Sequence, residues 1–152
     1  MQGNLANTYQ KLGRLDETLS MRRDMYSGCL KHLGEEYLET LGAANNYATS
    51  LRNLGRHQEA KTLIRQKMPV ARRILGESHD LTLKMKIHYA MTLYLDSDAT
   101  LDDLREAVTS LEDAGRIARR VLGGTHPTTE HMAVALRQAR AALRARETPS
   151  AR

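Results

Sequence analysis

Two stretches decide the fold: Asn4-Leu5-Ala6-Asn7-Thr8-Tyr9-Gln10-Lys11-Leu12-Gly13-Arg14 and Asn46-Tyr47-Ala48-Thr49-Ser50-Leu51-Arg52-Asn53-Leu54-Gly55-Arg56. Overlaid at an offset of 42, residues 4–41 and 46–83 share 12 identities in 38 positions. Chance at average composition gives about two or three. The match continues through Glu17/Glu59, Leu33-Gly34-Glu35 with Leu75-Gly76-Glu77, and Thr40-Leu41 with Thr82-Leu83. A third copy opens with Tyr89, Ala90 and Leu93 and then slips by five residues, after which residues 59–83 match 106–130 with 10 identities in 25. The extra residues fall in the acidic run Asp96 to Asp103, and insertions belong in loops. A repeat of this period means stacked supersecondary units.

Each unit reads as two helices. Leu5, Tyr9 and Leu12, and in the second copy Tyr47, Leu51 and Leu54, recur at i, i+4, i+7. Gly13 and Gly55 then supply the break that ends a helix. The second helix is longer: Leu104, Ala107 or Val108, Leu111, Ala114, Ile117 or Ala118 and Val121 recur at three and four, ending at Leu122-Gly123. Thr100 with Asp103 predicts a capping box, and Pro127 suits a first helical turn. No segment sustains strand alternation, so the expected fold is all-α.

Composition agrees. The 152 residues are 41% apolar and 27% charged, with no Trp or Phe and six Tyr, so the core must be aliphatic. Base-stacking platforms for single-stranded nucleic acid are disfavoured by that lack of aromatics. The lone Cys29 excludes an internal disulfide framework and a thiolate zinc site. A net charge of +5 permits acidic partners without naming one. No run of 18 apolar residues predicts a membrane span, and Met1-Gln2-Gly3-Asn4 lacks a leader pattern, so a cytoplasmic location is expected.

Leu122-Gly123-Gly124-Thr125-His126-Pro127-Thr128-Thr129, Asn4-Leu5-Ala6-Asn7-Thr8-Tyr9 and Gly55-Arg56-His57-Gln58-Glu59-Ala60 together resemble the tetratricopeptide repeat, in the 42-residue form typical of kinesin light chains. Tyr37-Leu38 and His79-Asp80 depart from the His-Pro of the family linker, and copy three lacks the Gly-Arg turn. The resemblance implies an all-α solenoid of antiparallel helix pairs, about three repeats plus a terminal capping helix. It is expected as one array over 1–147, with repeats near 3–36, 37–78 and 79–125, a cap over 127–147 and a disordered tail over 148–152. In the cap, Met132, Leu136, Ala139 and Leu143 face inward and Arg137, Arg140 and Arg144 outward. The chain opens inside the first helix of a repeat, which suggests a piece of a longer array or an uncapped edge prone to stacking and self-association.

Other motifs have plainer readings. Asp96-Ser97-Asp98-Ala99-Thr100 looks like the Asp-x-Asp-x-Thr loop of magnesium-dependent phosphatases, but that chemistry needs a parallel sheet, and only helical pattern follows. It fails as a calcium loop too, with Leu101 at the glycine position and Ala107 at the bidentate position. The six histidines form no metal-binding motif, so no metal and no cofactor are expected; His79 and His126 sit at a turn position. Cys29 reads as a packing residue. Pro69, inside the second helix of copy two, should kink or break it. The Arg137, Arg140 and Arg144 stripe reads as a solvated face, without the features of a nucleic-acid site.

What remains is the first-helix face that lines the concave side of such an array. With Leu5, Tyr9, Tyr47, Leu51, Tyr89 and Leu93 assigned to the core, it presents Asn4, Asn7 and Lys11, then Asn46, Thr49 and Asn53, then Lys84, His88 and Met91. Amides and cations in a groove suit an extended peptide, with carboxylates meeting Lys. The expectation is a non-catalytic module that binds a protein or an extended, acidic peptide. The carboxylate-clamp subclass of tetratricopeptide domains carries Lys, Asn, Asn, Lys and Arg at positions that fall here on Gly3, Asn7, Asn46, Lys84 and His88. The similarity implies a degraded clamp, because Gly3 holds no charge and histidine offers no bidentate fork.

Overall fold

Apolar residues at helical spacing, broken by glycines that accept left-handed backbone, dictate helices joined by tight turns. The computed structural model describes residues 4–5 and 13–148. Among them are six complete helices: α1 (Leu15–Leu33), α2 (Leu38–Asn53), α3 (His57–Leu75), α4 (Asp80–Tyr94), α5 (Leu101–Val121) and α6 (Pro127–Glu147). No strand occurs among the described residues. Asn4 and Leu5 are helical, while Tyr9 and Leu12, expected to complete that first helix, lie outside the described residues. The chain forms two compact units, residues 1–74 and 75–152.

In the first unit α1 packs on α2. Tyr26, Ala43 and Ala44 are buried between them, with Met25, Cys29, Tyr47 and Leu63 around the edge, so Cys29 is the packing residue expected. The Tyr26 and Tyr47 rings lie 6.0 Å apart, and the Lys67 ammonium sits 5.9 Å from the Tyr26 centroid while reaching Glu35 at 3.3 Å. The Leu54-Gly55 turn needs positive φ, and Gly55 supplies it at +79°. Leu5 departs from the inward assignment: it is 47% exposed.

Pro69 does not break its helix. α3 runs without interruption from His57 to Leu75, with Pro69 exposed between buried Met68 and Val70. Burial of its two neighbours holds the helix through the residue that cannot donate a backbone hydrogen bond.

In the second unit α4 packs against both α5 and α6, which also pack on each other. Helix α4 is therefore covered nearly all round, and Leu83, Met85, Ile87, Ala90 and Leu93 are all buried. Lys86 is buried too, and its ammonium is carried out to Glu77 at 2.7 Å. Thr100 and Asp103 close the predicted capping box at the start of α5, with bonds of 3.1 and 2.9 Å. Val121 leaves the predicted stripe: at the last turn of α5 it is exposed. In α6, Met132 and Ala139 are buried, Leu136 and Leu143 are half-buried, and Arg137, Arg140 and Arg144 face solvent. At the positions where α4 carries buried Leu83, Ala90 and Leu93, α6 carries Glu130, Arg137 and Arg140. These three charged residues are exposed, so that face of α6 is solvated.

One bond recurs between copies. The Thr40 hydroxyl donates to the Cys29 carbonyl and Thr129 to that of Ala118, each at 3.4 Å and across eleven residues. These repeated threonines tie the start of one helix to the previous one.

Candidate functional site

The nine residues expected on the binding face fall into three groups. Asn7 and Lys11 lie outside the described residues, and Asn4 is exposed.

The first unit holds Asn46, Thr49 and Asn53 on α2. Asn46 is exposed, and Thr49 and Asn53 are half-buried. Spacings of three and four put all three on one side of the helix. The Thr49 hydroxyl donates to the Asn45 carbonyl at 3.0 Å, so its proton is spoken for and a ligand meets its lone pairs. Arg22 of α1, which the sequence pattern did not single out, donates to the Asn46 carbonyl at 3.2 Å and to Ser50 Oγ at 3.0 Å. Burial lowers the pKa of that guanidinium from its ordinary value without discharging it. Arg22 thereby fixes the backbone beneath Asn46.

A cavity of about 350 Å³ opens elsewhere in this unit, between α2 and α3. It is floored by Tyr47, Leu51 and Leu63, rimmed by Gln58, Glu59 and Gln66, and touches none of the nine expected residues. Its rim departs from the matching place in the next copy. There Tyr89 donates to Glu106 at 2.8 Å, whereas the equivalent Glu59 accepts from Nε and Nη2 of Arg56 at 2.8 and 2.7 Å. Asp103 stands where Arg56 would be, so Glu106 has no arginine at i−3 to draw it from the tyrosine.

The second unit holds Lys84, His88 and Met91 on α4. Lys84 is exposed and forms an ion pair with Asp80, one turn back, at 3.1 Å. Burial works against ionisation of Asp80, but hydrogen bonds from Thr128 and Lys84 and the nearby charges of Lys84 and His126 outweigh it and hold the carboxyl below its ordinary value. An incoming carboxylate must therefore share Lys84 with Asp80. His88 and Met91 are half-buried. The His88 ring meets that of His131 on α6 edge to face, centroids 6.0 Å apart and planes 70° apart. The sequence reading weighed His131 only as one of six histidines without a metal motif, although the second offset of 47 places it at the position of Lys84.

The remaining motifs resolve into structure. His79 Nδ1 accepts from the Leu81 amide at 3.0 Å and His126 Nδ1 from the Thr128 amide at 3.1 Å, so both linker histidines are helix N-caps. Asp96 Oδ1 accepts from the Asp98 amide at 2.9 Å, Ala99 is buried, and Arg146 donates to its carbonyl at 2.6 Å. The acidic stretch is an inter-helix turn followed by a cap. Among the described residues no three His, Cys, Asp or Glu side chains gather to hold a metal, and no helix is long and apolar enough to cross a membrane.

Comparison with known proteins meets this geometry in one place above all: the tetratricopeptide repeat family matches residues 40–80, the helix pair α2–α3 with its linker. The fold is that of the tetratricopeptide repeat. Among solved structures, a Podosopora anserina protein described as a kinesin light chain with nearly identical TPR-like repeats aligns with a TM-score of 0.81 and 24% identity. That alignment covers 93% of this chain, which spans 64% of the other. BtubC (BKLC) from P. vanneervenii aligns with a TM-score of 0.60 and 14% identity, over 99% of this chain and 66% of that one. No curated protein matches the chain. The repeat fold supports a protein-interaction scaffold in general terms.

Proposed function

We propose that this chain is a non-catalytic module that binds an extended, acidic peptide segment of a partner protein through the first-helix faces of its tetratricopeptide repeats, α2 in the first unit and α4 in the second. The supporting observation is the state of those faces. Asn46 on α2 and Lys84 on α4 are exposed, beside half-buried Asn53, His88 and Met91, while the apolar positions of the same helices, Leu51, Tyr89 and Leu93, are buried. Amide groups can pair with a peptide backbone, and Lys84 can take a carboxylate from Asp80. The tethered competitor makes the site weak and selective for groups that offer more than one carboxylate. A cytoplasmic setting suits such a scaffold.

Two-dimensional NMR of the full chain, titrated with an acidic peptide, tests the placement. Shifts concentrated at Asn46, Asn53, Lys84, His88 and Met91 support it. Shifts confined to Arg137, Arg140 and Arg144 move the site to the outer face of α6 and end the groove reading.

A further inference from the structure

We infer that the turn between α1 and α2 is a surface on which a second copy of this chain packs, about a twofold axis. It includes none of the nine residues expected to bind peptide, and it does not depend on the peptide reading. The three linkers are the same part of the repeat, yet the first carries different chemistry. Leu30, Tyr37 and Leu38 stand where copy two carries Arg72, His79 and Asp80, and copy three Arg119, His126 and Pro127. Those two histidines cap the helices that follow them, whereas Tyr37, at the same position before α2, makes no side-chain capping bond. The first linker forgoes a cap that the chain supplies twice elsewhere, and it presents apolar surface instead. Leu30, Leu33, Tyr37 and Leu38 are 39, 41, 54 and 48% exposed. Leu30 and Leu33 share one side of the last turn of α1, and Tyr37 and Leu38 open α2. A local rule broken in favour of exposed apolar side chains marks a surface kept for binding.

Charge says what covers it. Lys31, beside Leu30, and Glu39, beside Leu38, are exposed, and neither has an ion-pair partner among the described residues. Glu35 and Glu36, between them, are tied to Lys67 and Arg73 at 3.3 and 2.7 Å. A cation on the α1 arm and an anion on the α2 arm make the patch complementary to itself. A twofold axis through the turn sets Lys31 of each copy against Glu39 of the other, with the four apolar side chains between these pairs. Those side chains expose on the order of 300 Å² of surface, the size of a functional patch on an ordinary monomer. A stable dimer buries about 800 Å² on each subunit, so this contact is weak and depends on concentration. Its charged rim makes it weaker as salt rises.

The test is sedimentation velocity of the tag-free full chain over a concentration series, at low and at high salt. The parent should pass from one chain to two as concentration rises, with no larger species, because a twofold contact closes on itself. Tyr37→His combined with Leu38→Asp, the pair that copy two carries at 79 and 80, removes apolar surface and restores a cap. That variant should weaken the dimer at least about tenfold, while its thermal melt stays level or rises. Lys31→Glu and Glu39→Lys should each weaken the dimer at least about fivefold by setting like charges together, and mixing the two variants should restore it. A parent that stays monomeric into the millimolar range, or that assembles beyond two chains, overturns the proposal. So does a Tyr37→His, Leu38→Asp variant that dimerises within about threefold of the parent, or a mixture of the two charge variants that associates no better than either alone.

Discussion

Replacing Pro69 by alanine should stabilise the protein. Proline has no amide proton, so the bond that residue 69 would donate to the Arg65 carbonyl cannot form in α3, and the ring crowds the preceding turn. Proline in a helix interior is about 3 kcal/mol less favourable than alanine. That figure is a ceiling here, because the surrounding structure has adapted to the ring. The Pro69 side chain is exposed, so truncating it loses no core contact, and buried Met68 and Val70 already hold helical positions on either side. Alanine also gives the unfolded chain more freedom, which works against the change by about 0.4–1 kcal/mol where the native backbone suits proline. A net gain of about 1–2 kcal/mol follows from these terms. For a chain of this size that raises the melting temperature by about 2–8 °C. Urea melts followed by circular dichroism at 222 nm should move to a higher midpoint with the slope unchanged. An equal or lower midpoint would show that the packing of α3 requires the proline, and that helical backbone through residue 69 is no guide to its cost.

Three further outcomes follow. His126→Ala and His79→Ala each remove an N-cap acceptor and should cost about 0.5–2 kcal/mol in chemical melts, with His126→Asn recovering most of the loss; an alanine variant as stable as its parent counts against the caps. Asp80 is held below its unfolded pKa, so its contribution is complete above that ordinary value, near 3.9, and is lost as pH falls through the depressed folded one. Melts from pH 6 down to pH 3 should therefore fall more steeply in the parent than in Asp80→Asn, and parallel curves would contradict this. Tyr89→Phe, which strips a donor from Glu106, should cost about 1–3 kcal/mol, whereas Tyr47→Phe, with Glu59 held by Arg56, should be close to neutral in the same melts.

The fold was legible because it rests on local signals. Gly34, Gly55 and Gly123 mark helix ends, Thr100 with Asp103 caps α5, and Leu104, Ala107, Leu111, Ala114 and Ala118 of α5 with Met132 and Ala139 of α6 are buried as their spacing requires. The site was legible only as a set of positions. Lys84 was read from its place in the repeat, but the Asp80 that shares it is fixed in turn by Thr128, 48 residues away. His131 and Arg22 act across helices, so no stretch of pattern around either reveals a partner. Glu59 and Glu106 are the same residue of the repeat, yet they have different partners because Arg56 is replaced by Asp103. Pro69 shows the converse: a strong local rule gave way to the burial of its neighbours.

The central claim is that the first-helix face carrying Lys84 receives an acidic segment. Fluorescence anisotropy of a labelled acidic peptide tests it most directly, with the parent and Lys84→Ala compared at low and high salt. A charge-assisted bond is worth about 1.5–3 kcal/mol, and competition from Asp80 takes part of that, so Lys84→Ala should weaken binding about five- to tenfold. The parent should lose affinity as salt rises, and the variant should lose less. If Lys84→Ala binds as tightly as the parent with the same salt dependence, the groove is not the site, and the basic outer face of α6 takes its place.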